Sequence, residues 1–308
     1  MFSVYPYTSL SWAVAVVFTI GSVVWIVSSF FTFHPTANPD SAFPGEDNFG
    51  AGLTACVGSA VFLIGSILLV HEVVNENREG CWGWALVREQ SDGPASFRVV
   101  PDKDDSDPTN CGETWRDSKD REPGAVRTKW AWWPSWHDFR NHYFHELRFW
   151  ASMVQVTASV VFFWSGITAL PGLQDELQKQ KLVLELYWTP KLIGCIGFVI
   201  SGLLATVEVQ DAWYKPKPFI VGWQVSFWKT VGSNLFLLYT VFGVVDMRWW
   251  SALACLVGSI IFLAVSLLTW YEAVNMASSG QPHEPTVDRA ANERSPLLER
   301  GDEGEERV

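Results

Sequence analysis

Four ionisable residues stand where apolar stretches meet polar sequence. Glu72, Glu208 and Glu272 close three similar apolar runs, and Lys229 lies about two turns inside a fourth. A carboxylate at a helix C-terminus meets the negative end of the helix dipole, so capping does not explain the recurrence. Three acids around one mouth would draw cations or protons into a cytosolic vestibule. Interfacial acids that mark where each helix leaves lipid explain the same pattern without any activity, and this is the expected role. Lys229 either pairs with Glu208 or Glu272 or extends its ammonium outward along its apolar stem, and extension is expected. Gln155, Thr157, Thr230 and Asn234 are the other polar residues of this kind, and helix-to-helix hydrogen bonding is expected of them.

Other chemistry is sparse. His137, His142 and His145 with Glu146 form the one candidate metal group, because residues about one turn apart can share an ion. No second ligand cluster accompanies them, so no metal and no cofactor are expected. Cys56, Cys195 and Cys255 lie in or beside apolar stretches, where a thiol is a small apolar group. Cys81 and Cys111 share one loop without a second pair, which suggests neither a zinc site nor a disulfide framework. There is no Gly-rich phosphate loop, no nucleophile elbow and no basic stripe for nucleic acid. Neither an enzyme nor a nucleic-acid binder is expected.

The most specific short signal is Glu293-Arg294-Ser295-Pro296-Leu297-Leu298. It matches the acidic dileucine pattern that clathrin-adaptor complexes read on cytosolic tails bound for lysosomes or vacuoles. Adjacent leucines in a polar, acidic tail have no core to join and are free to fill a partner's pocket.

The elements that carry these residues follow from the distribution of apolar side chains. A helix crosses the hydrocarbon core with roughly 20 mostly apolar residues. Six stretches qualify, near Leu10 to Phe33, Gly52 to Val70, Phe149 to Leu170, Lys191 to Val207, Trp223 to Val245 and Trp249 to Tyr271. An even number puts both termini on one side, together with the loop from Val73 to Arg148 and that from Glu208 to Gly222. Those regions hold 17 of the 22 Lys and Arg, so the positive-inside rule places both termini in the cytosol. Lys179, Lys181, Lys191 and Arg248 fall on the opposite side. In the long loop, Glu89 to Arg127 is charged and predicts no fixed structure. Lys129 to Phe149 is dense in Trp, Tyr and Phe among basic residues and belongs at the headgroup level.

The even-numbered spans repeat without gaps. Gly58, Phe62, Ser66 and Glu72 answer Gly194, Phe198, Gly202 and Glu208, and again Gly258, Phe262, Ser266 and Glu272. The odd-numbered spans give a weaker echo, with Trp12, Thr19 and Gly21 answering Trp150, Thr157 and Ser159, then Trp223, Thr230 and Gly232. Small residues at helical spacing let helix backbones approach in lipid. The fold class expected is therefore all-α: a polytopic membrane bundle of six transmembrane helices arranged as three parallel helical hairpins. Its Gly58-Ser59-Ala60-Val61-Phe62-Leu63 run, repeated at Gly258-Ser259-Ile260-Ile261-Phe262-Leu263, resembles the YrhK-like domain, a small membrane hairpin module. That resemblance implies architecture and no chemistry.

The chain divides into a first transmembrane hairpin (1–75), a cytosolic loop with an aromatic interfacial segment (76–148), a second hairpin (149–210), a third (211–275) and a disordered acidic cytosolic tail (276–308). These features together predict a non-enzymatic structural or scaffold component of an endomembrane, vacuolar or lysosomal. Its partners would be the lipid bilayer and an adaptor complex bound through Glu293, Leu297 and Leu298. The alternative is a small-solute or ion transporter that uses the bundle axis, with Glu72, Glu208, Glu272 and Lys229 at its cytosolic mouth. A dry axis packed by Gly and Phe favours the first, and a polar cavity at mid-depth favours the second.

Overall fold

The computed structural model describes residues 9–75, 132–133, 136–141 and 143–279, and every regular element among them is helical. Six long helices carry the architecture: α1 (Leu10–Ala37), α2 (Gly52–Val74), α3 (Leu147–Thr168), α4 (Thr189–Glu208), α5 (Val221–Val244) and α6 (Arg248–Ser279). α1 starts at Ser9, whose side chain accepts the Trp12 N–H and so satisfies one orphan donor of the first turn. It ends just beyond Pro35. The chain then turns through Gly45, whose φ of 87° suits a residue without Cβ. This turn is fastened by Glu46, which is buried, accepts the Phe43 N–H and lies 2.9 Å from His34 Nδ1.

Each long helix packs against its neighbours in the chain, and α1 closes on α6, making a ring of six. Adjacent helices run in opposite directions. Gly65, Gly58 and Gly50 face Phe18, Trp25 and Phe31 in turn; α4 Gly197 and Ser201 likewise face Ala158 and Ala151 of α3. Alongside its aromatic core, the bundle buries many serines and leaves large aliphatic residues on its outer surface. Ser22, Ser29, Ser59, Ser66, Ser159, Ser201 and Ser259 are buried, while Ile20, Ile64, Val160, Ile193 and Ile260 face outward. Lipid is as apolar as a leucine side chain, so helices in it associate through small residues and hydrogen bonds and leave large apolar groups outside.

Among the described residues, five helical stretches are long and apolar enough to cross a membrane: Leu10–Ala37, Phe49–Val74, Leu147–Thr168, Leu184–Glu208 and Arg248–Asn275. The sequence leads one to expect a sixth in α5. That helix has 24 residues, but Gln224, Lys229 and Asn234 make it less apolar, and it is not among the five.

The repeat read in α2, α4 and α6 has a structural counterpart. Gly58, Gly194 and Gly258 each press against an aromatic side chain of the preceding long helix: Trp25, Phe162 and Phe236. The odd-helix register, by contrast, is displaced by one residue in α3. A Cβ built on Gly21 or Gly232 meets Val61 or Ile261, and the third contact of this kind joins Ala158, not Ser159, to Gly197. Phe149 is accordingly buried where Trp150 faces outward, and Thr157 is exposed where Thr19 and Thr230 are buried.

The aromatic segment before α3 folds back onto the bundle. It contains a short helix (Trp136–Asn141) and a turn (Tyr143–His145). Tyr143 is buried with Val70, Val73, Val74 and Phe149. Its hydroxyl donates to Val74 O at 2.9 Å, supplying one of the carbonyls that a helix C-terminus leaves unpaired. Trp133 and Trp136 stay outward, as an interfacial anchor would.

Candidate functional site

The interior of the ring is closed by aromatic rings, one from each long helix. Trp25, Phe162 and Phe236 of the odd helices touch one another, with ring centroids 5.1 Å (Trp25–Phe236), 5.5 Å (Trp25–Phe162) and 6.4 Å (Phe162–Phe236) apart. The even-helix rings join them: Phe198 on Phe162 at 5.3 Å, Phe262 on Phe236 at 5.4 Å, and Phe62 on Phe262 at 5.7 Å. Most of these pairs are edge-to-face, the arrangement that the ring quadrupole favours. A void of about 10 Å³, open only to the centre of a water-sized sphere, remains among the six rings and Gln155. Gln155 is 3% exposed and its Oε1 has no hydrogen-bond partner. One water would fit there, in a lining otherwise made of aromatic rings, whereas buried waters have about three polar partners.

Beyond the plug, towards the α3–α4 connection and about two turns of α4 from Phe198, lies a buried ammonium. Lys191 is 2% exposed. Its Nζ donates to Tyr187 Oη at 2.5 Å and to Tyr239 Oη at 2.9 Å. The same atom sits 4.1, 4.7 and 5.3 Å from the ring centroids of Tyr187, Tyr239 and Trp188, within the range of cation–π attraction. Among the described residues no carboxylate pairs with it. The fold builds this box from two places: the turn Leu184–Trp188 that runs into α4, and the end of α5. Between box and plug, small polar groups join the helices. Ser29 Oγ lies 2.9 Å from Ser259 Oγ and 3.2 Å from Cys255 Sγ, and Cys195 Sγ lies 3.5 Å from Thr240 Oγ1.

The residues singled out in the sequence are spread around this interior. Glu72 lies in the last turn of α2 and accepts the Ser11 hydroxyl at 2.6 Å. Glu208 ends α4 and is exposed, and Glu272 lies within α6. Lys229 forms no ion pair among the described residues, with Glu208, Glu272 or any other acid. Three of the four polar residues expected to bond between helices bond mainly within their own: Thr157 to Met153 O, Asn234 to Thr230 O and Thr230 to Ser226 O. Serines do much of the cross-helix bonding instead, as in Ser66–Ser159 at 2.7 Å and Ser201 to Ala151 O at 2.8 Å. His137 and His145 sit in separate short elements, and no group of three His, Cys, Asp or Glu able to hold a metal occurs among the described residues. His142, Glu293, Leu297 and Leu298 lie outside the described residues.

Lys191 went unrecognised because it reads as a charge flanking a span. The available signal was Tyr187 four residues earlier, which puts ring and ammonium on one helical face. Tyr239 is 48 residues away and comes only with the tertiary fold. Compared with protein-family profiles, curated proteins and solved structures, the chain matches none of them.

Proposed function

We propose that this chain is a non-enzymatic membrane-embedded bundle, a structural or scaffold component of a vacuolar, lysosomal or related endomembrane. In this reading six spans, α5 included, form three parallel hairpins of the YrhK-like kind about an axis along the membrane normal. Both termini lie in the cytosol, where loop and tail meet partners and Glu293, Leu297 and Leu298 engage a clathrin adaptor.

The observation that supports a non-transporting role is the aromatic plug, in which rings from every long helix touch across the axis and leave room for about one water. A path for a hydrated solute would need several of those rings to swing aside together. The alternative, a small-solute or ion transporter, is favoured by one feature, the acid-free ammonium of Lys191 inside the ring; ionisable groups within membrane helices commonly mark substrate or ion pathways.

Reconstituted vesicles separate the two readings. A closed bundle gives no ion or small-solute flux above that of protein-free vesicles. Flux that falls when Glu72, Glu208 and Glu272 are all replaced by Gln would overturn it in favour of a vestibule and pore. Sorting is tested by imaging a tagged Leu297→Ala, Leu298→Ala variant: relocation to the cell surface is expected, and unchanged location removes the adaptor from the proposal.

A further inference from the structure

We infer that Lys191, Tyr187 and Tyr239 form a binding site for a small monovalent anion of the chloride class. The argument is a count of hydrogens. An ammonium brings three donors and no acceptor, and each phenol brings one donor and one oxygen. Lys191 donates to both phenol oxygens. Five donor hydrogens thus meet two acceptances, and one ammonium hydrogen and both phenol hydrogens remain. No carbonyl, carboxylate or other oxygen among the described residues receives them.

The charge count agrees with the hydrogen count. A buried ion is costly unless it is paired, and the ammonium here is met by two phenol oxygens and three ring faces, with no opposite charge among the described residues. Ring faces lessen the positive charge's cost but cannot accept the remaining hydrogens at full strength. An anion supplies the missing acceptor and the missing charge together. Tyr187, Trp188 and Tyr239 enclose the ammonium so closely that it is 2% exposed, which favours a monatomic ion over phosphate or sulfate. A single charge also balances a single ammonium.

The site's position gives it a role distinct from passage. Cys195 is one turn and Phe198 two turns further along α4, so the plug lies beyond the box. The α3–α4 and α5–α6 connections lie on the box's side of the plug, so an anion from that side need not pass the six plug rings. For that dead-end character the inference rests on the closed-axis reading; for binding itself it does not.

The test uses the full chain in detergent, with chloride exchanged for gluconate at constant ionic strength. Chloride or bromide should raise the unfolding midpoint in a saturable way, while sulfate should not, and Lys191→Met should abolish the effect. Should that variant not fold, Tyr187→Phe and Tyr239→Phe each delete one O–H and should weaken chloride binding by about ten- to a hundred-fold. A wild-type protein indifferent to chloride, or a dependence unchanged in all three variants, overturns the inference. Chloride flux measured in vesicles is a separate readout. Binding without flux supports both the site and the plug, binding with flux keeps the site and removes the plug, and indifference to chloride removes the site alone.

Discussion

Replacing Phe162 by Ala should destabilise the bundle far more than replacing its neighbour Phe163. Phe162 is 3% exposed and meets Phe198, Trp25 and Phe236 at 5.3, 5.5 and 6.4 Å. In a membrane the lost ring is not compared with water, because lipid tails are as apolar as the protein interior. The cost is therefore that of a cavity and of lost ring contacts. A void of roughly 100 Å³ at about 24 cal/mol per Å³ costs about 2 kcal/mol. Ring pairs are worth about 0.5–1.5 kcal/mol each, the two nearer ones counting most, which brings the total to about 3–5 kcal/mol. Phe163 lines an open groove with Val160, Val161, Trp164, Ile167 and Pro190 on the outer surface. Lipid can refill that space, so Phe163→Ala should stay within about 1 kcal/mol. Equilibrium unfolding in mixed micelles, followed by near-UV circular dichroism, measures both. Equal losses, or a larger loss at Phe163, would refute the one-residue displacement of α3 and restore the alignment of Trp150 with Trp12.

Four further outcomes are expected. Gly194→Ala should destabilise by up to about 2 kcal/mol, since its Cβ would press on Phe162 Cβ and the Ala158 carbonyl at 2.8 and 3.1 Å; overpacking of about 1–3 kcal/mol is offset only in part by the helix-propensity gain of about 1. Gly222→Ala, with nothing within 4 Å of the new methyl, should instead stabilise by up to about 1 kcal/mol in the same unfolding assay. A double-mutant cycle of Ser29→Ala and Ser259→Ala should return a coupling of about 0.6 kcal/mol, the average for hydrogen bonds between membrane helices, and no measurable coupling would place the 2.9 Å contact among those without energetic weight. Tyr143→Phe, which leaves Val74 O without its donor, should cost about 1–3 kcal/mol and raise proteolysis of the aromatic segment before α3.

Helix positions were legible because lipid imposes a length, which five apolar helical stretches of 22 to 28 residues among the described residues meet. The spacing of Gly58, Gly194 and Gly258 was legible too, since a glycine that admits a ring leaves a mark at a fixed position. The partner rings were harder. Phe149 and Trp150 are adjacent aromatics, as are Phe162 and Phe163, so either register of α3 reads equally well until packing chooses one. α5 shows the opposite difficulty, with Gln224, Lys229 and Asn234 diluting the apolar signal of a helix that packs between α4 and α6 all the same. Buried serines looked like spacers in the sequence because a hydroxyl's choice between its own helix and a neighbour depends on tertiary approach. Lys191 was hidden for the same reason: half of its box arrives from another helix.

The seam between α1 and α6 sets the order of assembly. Ser29 meets Ser259 across 230 residues of chain, so α1 waits for α6 before one of its two flanks is covered. A chain shortened before α6 would leave two unclosed edges, one on α1 and one on α5, each lined with groups suited to another helix. During synthesis those edges are open to foreign transmembrane segments, and the sixth helix must outcompete them for the same flank.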